Sequence, residues 1–224
     1  MEYRVTLTLE DDIWNWLDAL HTPFMGFNWI DNLLGEDKEV AAKIQDLDEQ
    51  SAEQVLTEYI TQKHNSPAVQ DYQQLLNKTA HAKLDGIISQ VESITGKEFY
   101  LDEIELIITT FPRCPYDHIK GTIFFYCTMA DYWPSIEENL THELLHFQFE
   151  HYWRDNPDSL VHALDPESYE ILHETITVVI DGDKGYREHA EVREKLKQHW
   201  EESRDFNSLI EFGIQQIASL NSQH

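Results

Sequence analysis

The stretch "SIEENLTHELLHFQFEHYW", residues 135 to 153, predicts a buried helix that carries polar groups on one face. Pro134 precedes Ser135 at the expected N-cap, and Glu138 three residues later completes a capping box. Leucines and aromatic residues then recur around much of the helical circumference, as they do in a core helix. Two histidines four residues apart therefore share one face of an otherwise apolar helix.

These histidines, His142 and His146, can direct both imidazoles at one metal ion, because residues i and i+4 lie one turn apart on the same face. A catalytic zinc keeps two histidines, one further histidine or carboxylate, and an open position for water. Glu143 follows His142 directly, and we expect its carboxylate beside the ion, where it can accept a proton from that water. A hydrogen-bonded network of the three buried side chains is the alternative to a metal site.

The sequence "ENLTHELLH", residues 138 to 146, followed by "ILHETIT", residues 171 to 177, resembles the gluzincin clan of zinc metallopeptidases. The resemblance extends over about residues 121 to 180, and it implies a zincin-like core with Zn²⁺ as the cofactor. By this likeness His142, His146 and Glu174 bind the zinc and Glu143 acts as general base. The implied activity is a metallopeptidase that hydrolyses a peptide or protein substrate with a metal-activated water.

The third ligand and the oxyanion donor of the proposed site each have more than one candidate residue. Many gluzincins place an acidic residue four positions after the third ligand, where this chain has Val178. Glu170 has Glu174 at that spacing, so Glu170 as ligand with Glu174 behind it is the alternative. Tyr186 and His189 follow the Glu174 helix and are candidate donors to the oxyanion. The resemblance also implies that the strand at residues 121 to 127 is a sheet edge that pairs with an extended substrate.

The rest of the chain predicts an α+β fold, with a small mixed sheet packed on the buried zinc-binding helix and mostly helical N-terminal and C-terminal parts. We expect residues 1 to 97 to form a strand followed by helices, and residues 98 to 224 to form the catalytic core with C-terminal helices. β-branched and aromatic runs predict strands at residues 3 to 9, 104 to 110 and 121 to 127. Apolar residues at helical spacing predict two or three helices between 37 and 97, then helices at 166 to 180, 186 to 202 and 205 to 220.

Charge and cysteine content narrow the function classes. Lysine and arginine total 16 against 42 aspartate and glutamate, and the formal charge of -26 repels nucleic-acid backbones and anionic membranes. Only two cysteines occur, and no secretory signal or long apolar run is present, so we expect a cytoplasmic protein. A non-catalytic zinc-stabilised protein, or an acidic interaction or mimic protein, remains the alternative to an enzyme.

Overall fold

The computed structural model describes residues 1–22, 28–127, 135–182 and 189–221, which form a predominantly helical α+β protein with one small mixed sheet. The predicted α+β class is therefore confirmed. The chain forms two compact units, Met1–His81 with Glu103–Pro134, and Ala82–Asp102 with Ser135–His224. Each unit is discontinuous in the sequence, and the boundary expected after residue 97 falls inside the second unit.

The sheet belongs to the first unit and has the strand order β1-β2-β4-β3. The pairs β1 with β2 and β2 with β4 are parallel, whereas β3 with β4 is antiparallel. β4 thus lies inside the sheet, and β3 pairs with its residues Thr122 and Ile123. The expectation of a free edge on this strand is wrong at those residues. The strands are β1 (Glu2–Thr6), β2 (Glu103–Thr109), β3 (Tyr116–Asp117) and β4 (Thr122–Tyr126).

Helices supply most of the core of the first unit. Trp16 and Phe111 are fully buried there, and their rings meet edge to face at 4.8 Å. The chain between 37 and 97 forms three helices, as its periodicity predicts. The helices that begin in this unit are α1 (Leu9–His21), α2 (Trp29–Asn32), α3 (Gly35–Ile44), α4 (Glu49–His64) and α5 (Pro67–Thr95), whose last turns belong to the second unit.

The described residues of the second unit form helices joined by loops and include no strand. α10 packs against α7 and α9, and α8 packs against α6 and α9. Gly213 on α10 permits the close approach to α7, because a Cβ there would lie 2.6 Å from the Leu172 side chain. The elements are α6 (Ile136–Phe149), a π-helical turn (Glu150–Arg154), α7 (Pro166–Thr175), α8 (Val178–Asp181), α9 (Ala190–Ser203) and α10 (Phe206–Asn221).

Two further observations concern α6 and the helices as a set. Burial on much of the circumference of α6 was predicted, and the structure buries every residue from Asn139 to Phe149, which is the whole circumference of that part of the helix. Within the described ranges, no helix has both the length and the apolar character needed to cross a membrane.

Candidate metal centre

The N-terminus of α6 is fixed by the predicted cap. The Ser135 hydroxyl accepts a hydrogen bond of 3.1 Å from the backbone N–H of Glu138, with Ser135 in extended conformation. Glu137 and Glu138 in the first turn complement the positive end of the helix dipole. The cap sets where the helix begins, and through it where His142 and His146 stand, two and three turns further on.

His142 and His146 turn their imidazoles toward each other. Their Nε2 atoms are 2.9 Å apart, and the side chains belong to residues only 6% and 1% exposed. Burial, reinforced by His173 and His142, holds the pKa of His146 well below its usual range, so this ring is neutral, as a metal ligand must be. Two nitrogens bound tetrahedrally at zinc distances lie about 3.3 Å apart. The observed separation of 2.9 Å is that of a hydrogen bond between the two nitrogens. To bind one ion, the nitrogens would have to move apart by about a few tenths of an ångström, which small changes in bond angle allow.

Glu174 joins the two histidines from α7. Ligand atoms of His142, His146 and Glu174 all lie within 4.8 Å of one another, so these three residues could hold a metal ion. α7 begins at the predicted cap, where the Asp165 carboxylate accepts from the Ser168 N–H at 3.0 Å and Pro166 occupies the first turn. Glu174 stands in the last turn of this helix, and its side chain is 18% exposed.

Glu170 falls into a different group. Its carboxylate lies near His173 and Glu174, and these three residues form a second set of ligand atoms within 4.8 Å. Among the described residues, the group that contains both α6 histidines includes Glu174 and not Glu170. The geometry therefore favours Glu174 over Glu170 as the partner of His142 and His146.

Glu143 is the buried carboxylic acid of the cluster, only 7% exposed. Burial raises its pKa to about 7, with the Glu174 carboxylate adding to the shift, while His142 and His173 oppose it. Near neutral pH a group with this pKa both accepts and releases a proton readily. Such a group has the property that a general base needs.

Asp181 and Arg193 support the cluster, and the sequence pattern did not single them out. Asp181 Oδ2 lies 3.6 Å from His142 Nδ1, while its Oδ1 accepts a short hydrogen bond from the buried guanidinium of Arg193. Arg193 also donates to the Glu174 carbonyl at 3.1 Å, the Thr177 hydroxyl at 3.0 Å and the Gly182 carbonyl at 3.0 Å. A single arginine from α9 thus ties α7 to α8 and fixes the carboxylate beside His142.

The location of Asp181 has a local cause. α7 ends at Thr175, and α8 begins only at Val178, so the single helix expected over residues 166 to 180 is broken after Thr175. Val178, four residues after Glu174, is buried and apolar, and the acidic group near His142 stands seven residues after Glu174 instead. The β-branched run "TITVVI" was the available signal for this break, because such residues lower helix propensity.

His173 is a third residue that sequence reasoning missed. Its ring stacks on the His146 ring with centroids 3.7 Å apart, and it is 5% exposed. Its Nδ1 lies 3.4 Å from a Glu174 oxygen and its Nε2 3.7 Å from a Glu150 oxygen. Burial alone lowers the pKa of His173, but the interactions with Glu174, Glu150 and Glu170 outweigh burial and raise it. His173 thus lies among carboxylates and is stacked on the ring of His146.

The described part of the structure places neither proposed oxyanion donor at the cluster. Tyr186 lies outside the residues that the structure describes. His189 occupies the N-cap position of α9 with a left-handed φ of 57°. Its carbonyl accepts hydrogen bonds from Val192 and Arg193, and no group of candidate ligands found in the described residues includes it.

Comparisons with protein families, with curated proteins and with solved structures found no match to this chain. The geometry above and the sequence motif are therefore the basis for any functional assignment.

Proposed function

We propose that this protein is a metal-dependent hydrolase, with zinc as the metal and peptide bonds as the substrate class. The observation that carries the proposal is the convergence of His142, His146 and Glu174, from α6 and α7, with ligand atoms within 4.8 Å. Two imidazoles and one carboxylate are a donor set found in catalytic zinc sites, which leave a fourth position open. The choice of peptide over other substrates rests on the resemblance of the motif to gluzincins.

The chain's own residues have distinct roles in this proposal. Zinc, when bound, would supply Lewis-acid polarisation of the scissile carbonyl and activation of water. Glu143 accepts a proton from the attacking water and passes it to the leaving amine, which its pKa near neutrality favours. Asp181 places a carboxylate oxygen 3.6 Å from the Nδ1 atom of His142, and Arg193, which donates to the other oxygen, keeps Asp181 in place.

Metal content and peptide hydrolysis together test the proposal. We would purify wild type, Glu143→Gln, Glu174→Ala and Glu167→Gln without chelators, measure zinc that survives dialysis, and assay a mixed peptide library. Glu167 is exposed on α7, so Glu167→Gln is a control for loss of one negative charge on the same helix. We expect zinc in all but Glu174→Ala, and cleavage only by wild type and the control.

Three outcomes would redirect the assignment. Cleavage lowered by less than about tenfold in Glu143→Gln would remove this residue as general base, whose contribution is typically 10²–10⁴-fold. Zinc bound without any hydrolysis by wild type would favour the zinc-stabilised protein without catalytic function. No zinc in the wild type would leave the acidic interaction protein as the better explanation.

A further inference from the structure

A second set of metal-ligand side chains lies on α7, next to the first. Ligand atoms of Glu170, His173 and Glu174 lie within 4.8 Å of one another. Glu150, from the π-helical turn after α6, places Oε1 3.7 Å from His173 Nε2. The Tyr169 hydroxyl donates a short hydrogen bond to that same Glu150 oxygen and fixes its position. Two separate elements therefore bring carboxylates to one buried imidazole.

The spacing of these residues is itself a metal-binding pattern. Residues i, i+3 and i+4 share one helical face, so Glu170, His173 and Glu174 point the same way from α7. Glu-x-x-His on a helix recurs in carboxylate-rich metal sites of helical proteins, where both side chains project onto the ion. "Glu170-Ile-Leu-His173" repeats this spacing independently of the His142-Glu143-x-x-His146 motif on α6.

Charge favours a cation at this position. Glu150, Glu170 and Glu174 all surround His173, and their side chains are at least partly withdrawn from solvent. The buried Arg193 directs its donors to backbone carbonyls, Thr177 and Asp181 rather than to these three carboxylates. The Arg154 guanidinium lies over the Tyr169 ring, 4.2 Å from its centroid, and donates to the Val161 carbonyl. Withdrawing carboxylates from water is costly unless a positive charge offsets it, and a bound metal ion would replace the proton that these carboxylates favour on His173.

We propose that Glu170, His173 and Glu174, with Glu150 beside them, form a second site for a divalent first-row transition-metal ion. Glu174 borders both sites, so its carboxylate can bridge two neighbouring ions, as carboxylates do in two-metal hydrolytic centres. One imidazole among several carboxylates is a harder donor set than the His142–His146 pair. The site therefore suits Mn²⁺ better than the first site does, whereas the first suits zinc. The second site does not depend on the proposed hydrolase activity, because neither His142 nor Glu143 belongs to it.

Metal counting on matched variants tests this site. Chelator-treated protein would be dialysed to equilibrium against excess Mn²⁺, and bound metal measured by mass spectrometry, with the electron paramagnetic resonance spectrum recorded for coupled ions. The variants are Glu170→Gln, His173→Gln, His142→Asn and the control Glu167→Gln, each checked for an unchanged far-ultraviolet circular dichroism spectrum. Glu170→Gln preserves side-chain volume, so it keeps the test valid if His173→Gln disturbs the stack on His146.

We expect two manganese ions per chain in wild type and in the control, and one in Glu170→Gln, His173→Gln and His142→Asn. A wild type that holds a single ion, lost in His142→Asn and kept in Glu170→Gln, would overturn the second site and leave the proposed hydrolase standing. If wild type binds two ions, Glu170→Gln loses one of them and the protein hydrolyses no peptide, the second site would be supported and the proposed function would fail. Two ions retained in Glu170→Gln would show binding elsewhere on the acidic surface and overturn the assignment.

Discussion

Each unit of this protein buries a polar cluster, and the two clusters differ in how their groups are matched. In the first unit Asp12 is fully buried on α1, and its carboxylate accepts from the Thr109 hydroxyl at 2.7 Å and the Thr110 N–H at 2.9 Å. His64 Nε2 lies 2.8 Å from the other oxygen of Asp12. Donors there face an acceptor, which is the ordinary way for a core to satisfy a buried carboxylate.

In the second unit an imidazole faces an imidazole, and carboxylates lie near other carboxylates. The His142 and His146 Nε2 atoms meet at 2.9 Å, and burial and the Glu174 carboxylate raise the pKa of both Glu143 and Glu170. Gathering several carboxylates in one buried region is costly unless a positive charge offsets it. The Asp12 carboxylate thus meets donors from Thr109, Thr110 and His64, whereas we propose that a bound cation balances the carboxylates of the His142 cluster. The predictions below test that difference.

Asp12→Ala should have the largest effect on stability and little on metal binding. It removes the acceptor from Thr109, Thr110 and His64, and leaving buried partners unmatched should lower the free energy of unfolding by about 3–5 kcal/mol. Urea denaturation measures the loss, and dialysis followed by metal analysis measures zinc. A variant that loses zinc as completely as Glu174→Ala would contradict the separation of the two clusters.

The metal-free protein should lose stability as pH rises, because of Glu143. Its pKa is raised in the folded state from an ordinary value of 4.5 to about 7. The folded state therefore holds the proton more tightly, so this contribution is fully present below pH 4.5 and is lost as pH rises through 7. The loss amounts to about 3 kcal/mol at 1.36 kcal/mol per pKa unit.

Chelator-treated wild type and Glu143→Gln would be unfolded with urea between pH 4.5 and 8 to measure this effect. The free energy of unfolding of wild type should fall relative to Glu143→Gln across that range. Parallel curves for the two proteins would show that the Glu143 carboxyl is not held protonated by its surroundings.

Asp181→Asn should weaken zinc binding by about 10–100-fold, the usual effect of removing a carboxylate behind a metal-binding histidine. The carboxylate lies 3.6 Å from His142 Nδ1, so its loss releases the orientation of that ring. Competition with a chromogenic chelator gives the zinc dissociation constant. Asp158→Asn, an exposed aspartate of the same unit, is the control and should leave the constant unchanged.

Ser135→Ala should have the smallest effect, a loss of about 1 kcal/mol in the free energy of unfolding. The hydroxyl caps the Glu138 N–H, but the polar groups at His142 and beyond lie further along α6. Thermal unfolding of the zinc-loaded and metal-free variants measures the change. A loss that appears only in the zinc-loaded form would mean that the cap acts on the metal cluster rather than on the helix.

The sequence was informative wherever a feature is local. The caps at Ser135 and Asp165 follow from residue type and position, and the structure shows both side chains accepting the expected hydrogen bonds. The His142 and His146 pairing on one helical face follows from the helical repeat in the same way.

The sequence was uninformative where the feature depends on packing between distant elements. Asp181 reaches His142 only because the helix breaks after Thr175, and Arg193 acts from α9, whose position no local pattern encodes. The sequence did not single out His173, and only its stacking on His146 reveals its place in the cluster. Periodicity predicts which face of a helix is buried, but not which faces meet.

The most direct measurement is anomalous X-ray diffraction at the zinc edge from crystals grown with zinc. We predict a strong peak within bonding distance, about 2.0–2.2 Å, of His142 Nε2, His146 Nε2 and a Glu174 oxygen. Anomalous density located only on surface carboxylates, with the two imidazoles hydrogen-bonded to each other, would contradict a metal centre between α6 and α7.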